Sequence, residues 1–181
     1  PDPIGADGNN FFRGFFNMLL CFYRYVAGDD KWERPFQVTG YQDRLFDWDH
    51  HRIVGFMHDQ WADRPQGVHC ENTKIWPFCV SGAGLGLRLY DGLHGARTSW
   101  VYDRWLEYAR KHYMGLDRKG ELDWFAFYYD PIERALYTFR DDVGAYAAIA
   151  IALYVLPQDR DLGTRLYEMA VRKLGWNDPR K

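Results

Sequence analysis

Cysteine is scarce in this chain: three among 181 residues, too few for a disulfide scaffold. No block of Lys or Arg occurs, and the net charge is -2. A nucleic-acid or anionic-membrane partner is therefore not expected. No uninterrupted apolar run approaches 20 residues, so no membrane span is read. No basic segment precedes an apolar one at the start, so no signal peptide is read either. The chain opens on PDPIGADGNN without a Met and is expected to be part of something longer, which leaves the compartment open. What the chain has in excess is aromatic rings, with 8 Trp, 13 Tyr and 12 Phe. Such a composition favours thick apolar walls, or a pocket for an apolar or carbohydrate ligand. The length suits one domain, residues 1–181.

A threefold echo organises the chain. In each echo an apolar helix, a short polar link and a more amphipathic segment follow one another. FFRGFFNMLLCFYRYV leads through AGDDK to a segment opening at Trp32. PFCVSGAGLGLRLYDGL leads through HGARTS to WVYDRWLEYARKHY. DDVGAYAAIAIALYVL leads through PQDRDLG to TRLYEMAVRKLGW. The first helix of each pair is apolar nearly all round, which predicts burial on every side. Inner apolar helices inside outer amphipathic ones predict an all-α fold, an α/α barrel (toroid) of repeated helical hairpins. Three hairpins are about half of such a ring, so further chain or a homo-oligomer is expected to complete it. The longer connections would gather at one mouth, where sites tend to be built. Asp2-Pro3-Ile4 and Asp130-Pro131-Ile132 repeat in two of them, predicting a shared geometry. Strand content should be slight, at most a hairpin across WFAFYYDP and ALYTF.

HCENTKIWPFC, from His69 to Cys79, holds two of the three cysteines, nine positions apart. Zinc ligands from one short segment usually fall closer together, and no second cluster follows. A disulfide is possible if the loop folds back. Cys79 as a small buried hydrophobe is the plain alternative. Asn72 or Thr73 can cap a helix and Pro77 fits only a first turn, so a helix begins between Thr73 and Pro77. That places both thiols near a helix N-terminus, where thiolate is favoured. His69 and Glu71 flank Cys70 as groups able to move protons. The combination suits acid/base or covalent work by sulfur at a pocket mouth.

These residues resemble the linalool dehydratase/isomerase family of α/α-barrel enzymes. The likeness covers nearly the whole chain. It includes Asp2-Pro3-Ile4, NNFFRGFFNMLLCFYRYVAGD, Cys70-Glu71 to Cys79, and Leu89-Tyr90-Asp91 with Leu93-His94-Gly95. The resemblance implies cofactor-independent loss or addition of water and allylic isomerisation of an isoprenoid-type alcohol, with neither metal nor organic cofactor. It implies Cys70, Cys79 and Tyr146 as catalytic residues, with Tyr146 bonding the hydroxyl or the leaving water. It makes Phe11, Phe12, Phe15 and Trp76 the substrate's aromatic wall, with His69 and Glu71 beside it. Two departures stand out. Phe15 follows Gly14 where the family has a histidine, and the family's acidic residue from an upstream region of a neighbouring subunit has no counterpart. His50 and His51, in the longer stretch VTGYQDRLFDWDHHRI, are candidate replacements.

Two other functions fit the same architecture. Asp141 and Asp142 could be paired carboxylates of a glycoside hydrolase or epimerase, or simply a helix N-cap. A non-catalytic apolar-ligand-binding homologue would bury both thiols without polar neighbours or a cavity. His58 reads as structural and Cys21 as core. GAGLG at 82–86 lies within a helix with no preceding strand, so it serves close packing or ligand room rather than a dinucleotide.

Overall fold

The structure, a computed structural model, describes residues 1–71 and 73–178. It corrects the all-α expectation. The chain is mixed, 55% helical and 14% strand, with two small antiparallel sheets. In order come α1 (Asn10–Ala27), a 3-10 turn at Lys31–Glu33, β1 (Phe36–Thr39) and β2 (Leu45–Trp48). Then follow α2 (His50–Ala62), α3 (Pro77–His94), α4 (Trp100–His112) and β3 (Met114–Leu116). β4 (Leu122–Asp130), β5 (Ala135–Thr138), α5 (Asp142–Val155) and α6 (Arg160–Leu174) complete the described chain.

The first echo departs most from its reading. No outer helix opens at Trp32. A β1–β2 hairpin in the register Phe36↔Trp48 to Thr39↔Leu45 intervenes. α2 begins only at His50, where Asp49 caps it by accepting from the Arg52 backbone N–H at 2.7 Å. The second hairpin across β4 and β5 is where the Phe, Tyr and Thr clusters predict it. β3 adds a third strand at its other edge.

α1 and α3 lie side by side and run parallel, Gly14 against Ala83 and Gly86 against Asn17. A Cβ on Gly14 would come within 2.7 Å of the Ala83 Cβ, so only hydrogen permits this approach. The 82–86 stretch is a packing device: Gly82 receives the Phe15 ring, and Gly84 receives the Tyr102 ring of α4. α2 and α4 cover the other side, with Trp61, Tyr102 and Trp105 fully buried. Sealing a large apolar side chain from water contributes on the order of 1.5–3 kcal/mol. The LYDGLHG end of α3 is structural. Asp91 accepts from Thr98 N, Thr98 Oγ1 and Ser99 N, fixing the link to α4, and Gly95 closes the helix at φ 65.

The third hairpin is turned around relative to the ring that the echo predicts. β5 carries the chain away from the start of α3, and α5 returns toward it. Tyr154, in the last turn of α5, packs on Phe78 in the first turn of α3. Asp159, in the α5–α6 link, accepts from Arg110 in the last turn of α4, at 2.8 Å for Nη2–Oδ1. The α3–α4 link lies at the opposite end of α4. α5 therefore opposes α3, whereas a ring of repeated hairpins needs the two parallel. Burial on every side is met best by α3. On α1, Leu19, Tyr25 and Val26 are exposed, as are Val143, Tyr146 and Leu153 on α5. Among the described residues no helix is long and apolar enough to cross a membrane.

The repeated Asp-Pro-Ile does share one geometry. Asp2 Oδ1 accepts from Ile4 N, and Asp130 Oδ1 from Ile132 N, each at 2.9 Å. Both aspartates close the same two-residue turn around a proline that has no N–H to offer.

Candidate active site

The segment 69–76 is fixed at both ends. Asn10 N–H at the head of α1 donates to His69 O at 3.2 Å. Ile75 exchanges two 2.9 Å backbone bonds with Tyr129 of β4. Between them the chain folds back: Cys70 N–H donates to Lys74 O, and Lys74 N–H to Glu71 O. Asn72 lies outside the described residues. Thr73, at φ 69, is not a helix cap. Trp76 precedes α3, and Pro77 opens it.

The turn sends Cys70 inward. It is 0% exposed, Cys79 is 4% exposed, and both are free thiols. The two side chains are hydrogen-bonded, and Cys70 also accepts from the Trp76 backbone N–H. Burial pushes the Cys70 thiol up. The bond from Cys79, the Trp76 N–H and the Asn10 amide outweigh it, and the net direction is down. Asn10 Nδ2 is sealed from solvent and has no well-aligned acceptor, so its N–H serves the sulfur it faces. Cys79 moves the other way, raised first by its bond to Cys70 and then by burial. The pair thus separates: the Cys70 thiol is shifted toward easier ionisation and the Cys79 thiol holds its proton more tightly.

Positive charge supports this division. Arg13 is 1% exposed, and its Nη1 donates to Ile4 O at 2.6 Å and Ala6 O at 2.8 Å. Its Nη2 reaches Gln60 Oε1 at 2.9 Å. Burial pulls its pKa down to about 10, while Asp7, Asp2 and Cys70 pull it upward. It remains cationic at neutral pH and attracts a Cys70 thiolate.

On the α3 side, two rings stand against Phe78, the residue preceding Cys79. Phe15 and Phe78 lie 5.7 Å apart, and the Tyr154 ring meets them edge-on at 5.6 and 5.4 Å. Burial raises the Tyr154 phenol first, and nearby Cys79 adds to it. Phe11 leans on Phe15 at 5.0 Å. Phe12 belongs elsewhere: it stacks on Phe16, which leads to Phe36 and the hairpin.

The remaining candidates scatter. His69 and Glu71 turn to the opposite side of the loop from the Cys70 sulfur. There they line a groove of about 460 Å³ with Asp7 and Asn9. Glu71 reaches Cys70 only through space, raising its pKa. The Trp76 ring meets Phe127 and Tyr128 of β4, so its contribution to the sulfur is its backbone N–H. Tyr146 is 57% exposed and makes neither a hydrogen bond nor a ring contact among the described residues. His50 and His51 lie at the other end of α3. His50 Nε2 faces Asn17 Oδ1 at 2.8 Å, and His51 Nδ1 faces Tyr90 Oη at 2.6 Å. Neither imidazole can serve the thiols. His58 takes the Trp100 indole N–H, a structural bond.

Asp141 caps α5, accepting from Val143 N and Gly144 N. Asp142 follows in the first turn. Their place is explained by the helix end they stabilise. Among the described residues, no three His, Cys, Asp or Glu stand where they could hold a metal ion.

Sequence reasoning missed Asn10, Arg13, Phe78 and Tyr154. Only Arg13 carried a signal, a cation among the apolar residues at the head of α1 that must find partners if buried. A family model described as linalool dehydratase/isomerase matches residues 1–179. Two buried, hydrogen-bonded thiols shifted in opposite directions beside an aromatic wall are compatible with the acid/base chemistry of dehydration and isomerisation of a terpene-like alcohol, the general function of that family. With nearly its whole length matched, the chain belongs to the linalool dehydratase/isomerase family.

Proposed function

We propose that Cys70 and Cys79 act as base and acid in cofactor-independent dehydration and allylic isomerisation of an isoprenoid-type alcohol. The observation that carries this reading is the Cys79-to-Cys70 hydrogen bond, with the two thiols moved in opposite directions. The Cys79 thiol gives its proton to the alcohol oxygen as the C–O bond breaks, and water leaves. The allylic cation left behind lies against the faces of Phe15 and Phe78, whose ring electrons favour positive charge. The Cys70 thiolate removes a proton from the neighbouring carbon, and that electron pair forms the new double bond. The substrate's hydroxyl has become water, its C–H proton sits on Cys70, and Cys79 is the thiolate. Transfer of one proton along the Cys70–Cys79 hydrogen bond restores the starting pair. Return of water to the far end of the allylic cation, with its extra proton passing back to the Cys79 thiolate, gives the isomerised alcohol instead.

Two buried thiols without polar neighbours would have favoured a mere binding role. Instead Cys70 accepts from Cys79 and the Trp76 N–H and faces the Asn10 amide, surroundings that favour the charged form of a sulfur.

The test is incubation of the reduced protein with a tertiary allylic C10 alcohol, followed by gas chromatography. Alkene and primary allylic alcohol are the expected products. Cys70→Ala should slow their formation by roughly 10²–10⁴-fold, the usual contribution of a positioned acid or base. A parent protein that forms neither product, or a Cys70→Ala protein as fast as the parent, would overturn the proposal.

A further inference from the structure

The proposed dehydration needs more than an acid and a base. The alcohol oxygen must be held beside the acid, or the proton of Cys79 has no fixed destination. Phe15 cannot supply that grip, because a phenyl ring neither donates nor accepts a conventional hydrogen bond. Tyr154 stands at the right place. Its ring is wedged edge-on between Phe15 and Phe78, the residue next to Cys79. Phe15 is in turn seated on Gly82, so the trio has a rigid floor. The side chain is half-buried, yet its hydroxyl bonds to no group among the described residues. It is also absent from the sealed polar atoms of the core. A hydroxyl fixed by two aromatic neighbours, unpartnered and accessible, has donor and acceptor capacity to spare for a ligand.

We propose that Tyr154 is the hydroxyl-binding residue of the site, donating to the oxygen of an apolar alcohol held beside Cys79. This deepens the dehydratase reading and rests on it for the identity of the ligand. Tyr154 keeps its proton throughout; the proton that leaves with water is that of Cys79. The ligand class follows from the surroundings: an alcohol with one oxygen and an otherwise hydrocarbon body. Tyr154 offers that oxygen a partner, and the rings around it offer the carbon skeleton only apolar surface.

The experiment uses two probes of the same skeleton, a C10 isoprenoid alcohol and the hydrocarbon lacking its hydroxyl. Binding of each is measured by calorimetry, and conversion of the alcohol by gas chromatography. The parent, Tyr154→Phe and Tyr146→Phe are compared. Tyr154→Phe keeps the ring and its edge contacts, and removes a hydroxyl that supports nothing else in the fold. Its melting temperature should match the parent's. The parent should prefer alcohol to hydrocarbon by about tenfold, the effect of one hydrogen bond, and Tyr154→Phe should lose that preference. The loss of alcohol conversion should appear in kcat as well. If Tyr154→Phe loses the preference while even the parent releases no water, the hydroxyl site stands and the dehydratase reading falls. If the parent converts the alcohol and Tyr154→Phe matches it in preference and rate, the dehydratase reading stands and this proposal falls. It falls equally if the parent binds neither probe, or if Tyr146→Phe alone loses the preference.

Discussion

Cys79 is hydrogen-bonded to Cys70, and this contact shifts two identical side chains in opposite directions. Neither thiol is set apart by residue type. The difference comes from what else each sulfur meets. Cys70 faces the Trp76 N–H and Asn10, whereas Cys79 faces chiefly Cys70 itself.

Removing the donor should therefore move the acceptor. Absorbance of the thiolate near 240 nm, taken as parent minus Cys70→Ala, should titrate below the ordinary thiol value of 9.0. In a Cys79→Ala background the same transition should shift upward, because a hydrogen bond to the charged form is lost while burial remains. An unchanged midpoint would mean that Cys79 does not support the thiolate.

Arg13 joins the site to the stability of the fold. Arg13→Met should leave the carbonyls of Ile4 and Ala6 without their donor, at about 1–3 kcal/mol for each buried unpaired group. Urea unfolding should show the loss. The Cys70 titration should also rise, since its attracting cation is gone. A variant as stable as the parent would show that the loop 2–7 is not held by this side chain.

His50 should make the protein acid-sensitive. It is buried, and its pKa is pushed down to about 4, first by burial and then by repulsion from His94 and His51. In the unfolded chain it titrates near 6.5. The unfolded state therefore binds the proton first as pH falls. The stabilisation from a neutral buried His50 is complete above about 6.5 and is lost as pH falls toward 4, by about 3 kcal/mol at most. Thermal melts at pH 7, 5 and 4 should show the decline, and His50→Gln should flatten it. Equal slopes for parent and variant would assign the loss elsewhere.

The glycines of α3 should respond in opposite senses. Gly84→Ala drives a methyl into the Tyr102 ring and should cost about 1–3 kcal/mol. At Gly92 a Cβ meets nothing within 4 Å, so Gly92→Ala should be neutral or stabilise by up to about 1 kcal/mol through helix propensity. Chemical denaturation of the two variants side by side checks both signs.

Particular residues show how far the chain could be read directly. Apolar periodicity and end signals located α1, α3, α4, α5 and α6, because those signals act within a few residues. Pro77 at the start of α3 and Gly95 after its end act in this local way. The β1–β2 hairpin escaped notice because its four-residue strands alternate too briefly to compete with the helical echo. The sense of α5 was illegible for a different reason: an amphipathic or apolar pattern is the same whichever way the helix runs. Contacts across the fold, Tyr154 on Phe78 and Asp159 on Arg110, decide it.

The same division holds at the site. The Cys70-to-Cys79 spacing and the family it belongs to were determined by the sequence alone, since both are properties of residue order. Which way each thiol is shifted, why His69 and Glu71 miss the sulfur, and why Tyr154 rather than Tyr146 reaches the aromatic wall were decided only by tertiary structure. Protonation depends on the donors gathered within hydrogen-bond range, and these come from α1, the 69–76 turn and α3. No order along the chain specifies their distances until the core has packed.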